Sequence, residues 1–547
     1  MLLSLVGMVA SFNERYIITG VFTMGQLLLL TPLIVGGYSA LSRVQEKSVV
    51  KRLLGGAVAG VFGGLILTAL LLLGQQVDLR LMFPNASPEL YNIISFGVEP
   101  PLAYLVPLIY GSLFGLIGAG LALLPTRSRS AVLNATLWVI VLGLFRDMFA
   151  LIPTFNQPGP IKTLFTWIFA PSGLAVPAAI IFFVLIGGYS YWRSGRPKSA
   201  QQRKFSEQKP AVRWGVLIVG SALVLSLPFI LGVFFTEVLD NVGLYIIMAL
   251  GLNIVVGYAG LLDLGYVAFF AIGAYTMGVL TSPELGFFHL NFWTALPFAL
   301  LVTTISGVIL GLPVLRMRGD YLAIVTLGFG EIVRILALSE WLRPFIGGTQ
   351  GIQKIAIPLP EYILTTVNLQ TKFYDLILAG CLVVGFIAWR LKDSRLGRSW
   401  IALREDEDVA QAMGLNTVIT KLLAFATGAT FAGLSGAIFA SKLNSAYPHS
   451  FDLLVSIYVL CIIIIGGMGS IPGAILGSFF LIGLPELLRE FSEFRLLVVG
   501  AVMVAMMLYK PEGLWPEERR KLELHEGEEE PLEDIDEEFA PVGSTLD

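Results

Sequence analysis

GYAGLLDLGYVAFFAIGAYT, residues 257–276, is apolar enough to lie in a lipid bilayer, yet it carries four glycines and one carboxylate, Asp263. An ionisable group within an apolar stretch is costly and normally faces protein or water. The glycines remove bulk, which lets helices or broken helix ends approach closely in a solvent as apolar as leucine. The rest of the chain has the same character. Of its 547 residues 56% are hydrophobic and 14% charged, against about 25% charged in an ordinary soluble domain. Apolar runs of roughly 20 residues recur, the length a helix needs to cross the hydrocarbon core with its backbone polar groups satisfied internally. Continuous runs of this kind exclude a transmembrane β-barrel, whose strands alternate. The expected fold class is therefore an all-α polytopic membrane protein.

Charge placement orients the spans. Lysine and arginine cluster at Arg43, Lys47, Lys51 and Arg52, at Arg127 and Arg129, from Arg193 to Arg213, at Arg316 and Arg318, from Arg390 to Arg404, and at Lys510 with Arg519 to Lys521. The positive-inside rule puts these gaps in the cytoplasm and the gaps Gln75–Pro100, Thr236–Asn241, Ser282–Asn291 and Lys442–Asp452 outside. Alternation then gives about 15 spans, about five before Ser194 and about ten after Arg213, with an external N-terminus and a cytoplasmic C-terminus. The net charge of −3 adds little.

Composition also divides the chain. Residues 1–191 form a first transmembrane module. Residues 192–212, within WRSGRPKSAQQRKFSEQKPAVR, are polar and basic and read as a cytoplasmic linker. Residues 213–510 form a second membrane module, and 511–547 are acidic and too poor in apolar residues to pack, as expected of a disordered cytoplasmic tail. Cys381 and Cys461 sit inside apolar runs as small packing residues, and neither a disulfide framework nor a metal site is supported. The opening MLLSLVGMVA has no basic n-region, so a cleaved signal peptide is not expected.

Four polar residues stand out inside the second module. Asp263, between inward and outward runs, fits either a helix N-cap at a cytoplasmic turn or a substrate contact. Glu331 and Arg334, in RMRGDYLAIVTLGFGEIVRI (316–335), share a helix face at i and i+3. They serve either as an ion pair fixing helix packing or as the edge of a polar pathway, and Asn253 is the remaining polar candidate on such a pathway. Small residues recur at four-residue spacing in Gly56, Gly60 and Gly64, in Gly111 and Gly115, and in Gly473 and Gly477, a helix-packing signature. In the first module Arg146 and Asp147 are adjacent within a span and need partners elsewhere.

Outside the membrane, RLKDSRLGRSWIALREDEDVAQAMGLNTVITKLLAF (390–425) combines an intermittent apolar face of Trp400, Leu403, Val409, Ala410 and Met413 with a polar block, Arg404, Glu405, Asp406, Glu407 and Asp408. Gly414 is a natural helix stop. A short helix here suits a groove on a soluble partner.

Together GYAGLLDLGYVAFFAIGAYT, PVLRMRGDYLAIVTLGFGEIVRIL, LGRSWIALREDEDVAQAMGLN, FAGLSGAIFA and IIIIGGMGSIPGAILGSFFL resemble the LivM-type permease subunit of branched-chain amino acid ABC importers, over roughly residues 213–515. Residues 1–200 carry no such resemblance and form an extension that a typical member lacks. The resemblance implies a permease translocating branched-chain or other neutral amino acids, with related permeases for urea and short amides as the neighbouring alternative. It implies a second permease subunit, two ABC ATPase subunits and an external substrate-binding protein as partners, in the plasma membrane, or the inner membrane of a cell with two. Arg404, Glu405, Asp406, Glu407, Asp408 and Gly414 would form the coupling segment that meets the ATPases. The chain has no G-x-x-x-x-G-K-[ST] loop, and the LSG of FAGLSGAIFA lies in a span, so ATP and Mg are expected on the partners and no cofactor or enzymatic activity on this chain. No nucleic-acid partner is expected; the lipid bilayer is the other surroundings. A stand-alone secondary transporter using Asp263 or Glu331 as an ion-coupling site is the competing class. The first module would serve as a scaffold for the complex or as a lipid contact.

Overall fold

The computed structural model describes the chain from residue 2 to residue 516 except 6, 44–47, 78, 82, 84, 157, 195–219, 222–223, 286, 315–316, 318, 359–368 and 488–493. Most of the basic linker, Arg316, Arg318 and the tail beyond residue 516 lie outside the described residues. Backbone contacts divide the chain into two units, Met1–Gly232 and Val233–Asp547.

In the first unit the principal helices are α1 (Met24–Arg43), α2 (Val49–Gln76), α3 (Val106–Leu123), α4 (Thr126–Leu144) and α5 (Val176–Ser194). The glycine series of α2 and α3 face each other: a Cβ on Gly60 would lie 2.0 Å from the Gly111 carbonyl oxygen. Backbone-to-backbone packing of this kind is how helices associate in lipid. Four short strands interrupt the helical pattern, β1 (Tyr16–Ile18), β2 (Phe22–Thr23), β3 (Phe169–Ala170) and β4 (Gly173–Leu174), in the order β2-β1-β4-β3. The parallel pair β1–β4, in register Ile18↔Leu174, ties the start of the unit to the residues just before α5. Arg146 and Asp147 find their partners within this unit. α4 ends at Leu144; Arg146 pairs with Asp147 and donates to the Ala170 carbonyl at 3.2 Å, and Arg15 lies 4.0 Å from Asp147.

The second unit contains α6 (Val233–Leu252), α7 (Val267–Thr281), α8 (Phe292–Val314), α9 (Asp320–Leu338), α10 (Leu369–Lys392), α11 (Arg395–Glu405), α12 (Glu407–Ala412), α13 (Thr417–Leu443), α14 (Leu453–Gly466), α15 (Ile471–Ser478) and α16 (Arg495–Tyr509). Polar residues punctuate it as helix-capping chemistry requires: Ser394, Asp406, Asn416, Asp452 and Ser470 each accept a first-turn backbone N–H of the helix that follows. A two-stranded pairing, β5 (Ile352–Gln353) with β6 (Ser445–Ala446), closes one end. The hydrophobic core gathers on α6, α7 and α13. α13 packs closely on α7, where a Cβ at Gly436 would meet the Phe270 carbonyl oxygen at 2.0 Å.

Among the described residues ten helices are long and apolar enough to cross a membrane, four in the first unit and six in the second, and Val267–Thr281, Ile471–Leu487 and Val499–Tyr509 are shorter apolar helices. The protein is thus a helical polytopic membrane protein. Of the fifteen expected spans, the one that follows Arg213 lies partly outside the described residues, and α4, with Arg127 and Arg129 in its first turn, is not among the ten.

Candidate functional site

α6 does not end cleanly. Its last turn widens into a π turn, Asn253–Tyr258, and the chain then runs without helix from Ala259 to Tyr266 before α7 begins. The fifteen helical residues of α7 rise only about 22 Å, short of the ~30 Å hydrocarbon core, and the non-helical residues lead directly into it. Non-helical backbone at membrane depth persists only where protein satisfies its polar groups. That is what surrounds it here. The Leu264 N–H donates to Thr326 Oγ1 of α9 at 3.0 Å, the Gly265 N–H to Asp263 Oδ1 at 2.9 Å, and the Val267 N–H to Ser456 Oγ of α14 at 2.9 Å. The Tyr266 hydroxyl donates to the Gly428 carbonyl of α13 at 2.9 Å.

Asp263 is fully buried, and the expected helix cap takes a different form. α7 has no side-chain cap; the carboxylate instead folds back on Gly265, two residues ahead, and its other oxygen has no hydrogen-bond partner among the described residues. Gly265 is a steric requirement, because a Cβ there would lie 1.8 Å from the Thr326 carbonyl oxygen. Asn253, also buried, accepts the Gly469 N–H at 2.9 Å and so joins the π turn to the segment between α14 and α15. Glu331 and Arg334 pair with each other at 3.0 Å, each about a third exposed. Among the described residues no hydrogen bond or ion pair joins them to Asn253 or Asp263.

The polar block Arg404–Asp408 lies in a folded helix pair, α11 and α12. Trp400, fully buried, donates from Nε1 to the Thr420 carbonyl of α13 at 2.9 Å. Asp406 caps α12, accepting from the Asp408 and Val409 N–H groups at 2.8 and 3.0 Å. Glu407 reaches Lys421 Nζ at 2.6 Å, a lysine buried at the base of α13. Arg404 turns inward, donating to the Gly257 carbonyl at 2.9 Å, and also pairs with Glu405 at 3.0 Å. Gly414, at φ +86°, ends the pair in a conformation that a side chain disfavours. The apolar residues divide between two faces: Trp400, Leu403 and Ala410 are buried, whereas Val409 and Met413 are 57% and 80% exposed. Lys421, Thr326 and Ser456 are the working residues that sequence reading missed. Only Lys421, a lysine in the first turns of an apolar span, carried a visible signal.

Apolar helices of crossing length, a span broken over buried polar groups and a helix pair anchored outside the bundle are the build of a multi-pass membrane transport protein. Residues 234–507 match the family described as branched-chain amino acid transport system / permease component, and the chain belongs to that family. The high-affinity branched-chain amino acid transport system permease protein LivM of Salmonella typhimurium is 44% identical over 306 residues, 52% of this chain and 71% of the relative. Its counterpart in Escherichia coli is 42% identical over 332 residues, 57% of this chain and 77% of the relative. LivH of Salmonella typhimurium is 22% identical over 286 residues, 49% of this chain and 90% of the relative. No solved structure matches. The chain is accordingly a transport permease of the plasma membrane, of a family that works within multi-subunit transporters.

Proposed function

We propose that this chain is a membrane-spanning subunit of an ATP-driven importer that moves branched-chain or other neutral amino acids delivered by an external binding protein. The observation that carries the reading is the helix pair α11–α12. Its inner face is fastened to the bundle through Trp400 and Glu407, while Val409 and Met413 remain outside it. Apolar side chains held rigidly at an exposed helix are what a groove on a soluble partner requires. The family membership and the absence of a nucleotide loop in the sequence support two separate ATPase subunits as that partner, with ATP and Mg bound there. On this reading the N-terminus is external, the C-terminus cytoplasmic, and the complete topology has about 15 spans.

A second permease subunit completes the pore. Glu331 and Arg334, each a third exposed in a largely apolar helix, support this, because charges at membrane depth face protein or water rather than lipid. Fixed charges along the spans are few, so the walls suit a small solute that is apolar apart from its zwitterionic end, and selectivity rests mainly with the binding protein. The experiment is uptake of radiolabelled leucine, isoleucine or valine by cells with and without this chain. Uptake should require the chain and the ATPase partners, and other neutral amino acids should compete more than lysine or glutamate. Calorimetry on the binding protein identifies the solute: capture of urea or a short amide and no amino acid overturns the substrate assignment. Uptake that persists without ATPases overturns the ATP-driven mechanism.

A further inference from the structure

We propose that Arg404 is the positioning residue through which the cytoplasmic helix pair governs the break at the end of α6. The inference rests on the coupling role proposed for that pair and concerns how its movement reaches the membrane. The π turn uses its own carbonyls in order: Ala259 N–H donates to Ile254 O, Leu261 N–H to Val255 O and Gly260 N–H to Val256 O. The next carbonyl, that of Gly257, receives instead the Arg404 guanidinium, 147 residues away in sequence. The last carbonyls of a helix are orphaned and carry the negative end of its dipole, so a cation is the matched partner.

The fit is close. A Cβ on Gly260, at φ +70°, would lie 2.6 Å from Arg404 Cγ, so the arginine stem lies directly against the turn. Beside this joint is a cavity of about 400 Å³, lined by Val256, Gly260, Leu262, Glu405 and Met468 among others, which leaves the joint room to shift. On its other side the same π turn is held by Asn253 to Gly469. Arg404 stands in the last turn of α11, two residues before the cap of α12. A displacement of α12 therefore moves the guanidinium, and with it the point where α6 gives way to extended chain. α12 is joined to Arg404 through the chain at Glu405 and Asp406, and hydrogen bonds carry the connection on from Arg404 to the π turn and from the π turn to the segment after α14.

The test is made on the whole transporter, with its ATPase partners, reconstituted in vesicles. ATP hydrolysis and uptake of labelled leucine are measured together for the wild type, Arg404→Ala and Arg404→Lys. Arg404→Ala should retain hydrolysis while uptake per ATP falls ~10-fold or more, the scale of one lost hydrogen bond to a charged group. Arg404→Lys, which restores a cation at the helix end without the planar fork, should recover part of the ratio. An unchanged ratio in Arg404→Ala overturns the proposal, and so does a parallel fall in hydrolysis and uptake, which marks a residue that only stabilises the fold. If Arg404→Ala does not assemble, Arg404→Lys decides: a wild-type ratio there overturns the proposal. If wild-type uptake needs no ATP, the coupling reading fails instead, an outcome distinct from these.

Discussion

Replacing Gly265 by alanine tests the account of the broken span most directly. The added Cβ would sit 1.8 Å from the Thr326 carbonyl oxygen and 2.5 Å from its carbon, both backbone atoms of α9 that no side-chain rotation can move aside. Ordinary contact begins near 3.4 Å, so α9 and the extended segment must separate by about 1.6 Å (3.4 − 1.8). Overpacking that shifts backbone costs about 1–3 kcal/mol. The same separation pulls Thr326 Oγ1 from the Leu264 N–H, and a buried donor left unsatisfied adds about 1–3 kcal/mol. The expected loss is thus about 2–6 kcal/mol in all. Gly328, two residues beyond Thr326 on the same helix, is the control, since a Cβ there meets nothing within 4 Å. Gly328→Ala should be neutral or gain up to about 1 kcal/mol from helix propensity. Melting of the purified chain in detergent at a fixed scan rate should rank Gly265→Ala well below wild type and Gly328→Ala at or above it. Equal melting of Gly265→Ala and wild type, or equal damage from both substitutions, would refute the reasoning.

Glu407→Gln should destabilise more than Lys421→Met, because it strands a lysine that is 3% exposed whereas the carboxylate left by the second change is 22% exposed; unpairing a buried charge costs about 3–5 kcal/mol. A double-mutant cycle by thermal melting checks the order, and the reverse order would contradict the burial argument. Val409→Asp with Met413→Asp should abolish co-purification of the ATPases without lowering the melting temperature, since both side chains face away from the bundle. Normal co-purification would remove that face from the interface. A chain beginning at residue 205 should still insert and assemble with the transporter, because the family match lies within 234–507; loss of the complex on truncation would make the first unit structural.

How much of this was legible beforehand depends on the range of the interaction. Apolar runs and glycine spacing report on one segment at a time, so the helical class and the glycine series of α2 and α3 could be read from local pattern. The short strands could not: β1 and β4 are three and two residues long and lie more than 150 positions apart, and their pairing depends on the tertiary fold. The partners that Arg146 and Asp147 need are hidden from local pattern for the same reason, since Arg15 and the Ala170 carbonyl lie far along the chain from them. The apolar residues of 400–413 read as one face only on a continuous helix. Asp406 interrupts it, and the interruption turns Val409 and Met413 away from Trp400 and Leu403.

The charge and the missing bulk in GYAGLLDLGYVAFFAIGAYT turn out to answer one physical demand. Non-helical backbone inside a helical bundle has N–H groups that helical hydrogen bonding does not satisfy, and lipid offers them nothing. Each must therefore lie within hydrogen-bond reach of a neighbouring polar group, and that requires close approach. Asp263 supplies an acceptor from within the segment, Thr326 and Ser456 supply them from α9 and α14, and Gly265 lets α9 come near enough. The break is consequently a junction of α6, α7, α9 and α14 rather than a weak point in a span. Movement of α9 or α14 against the start of α7 has to break the hydrogen bond that each makes there, at Leu264 and at Val267.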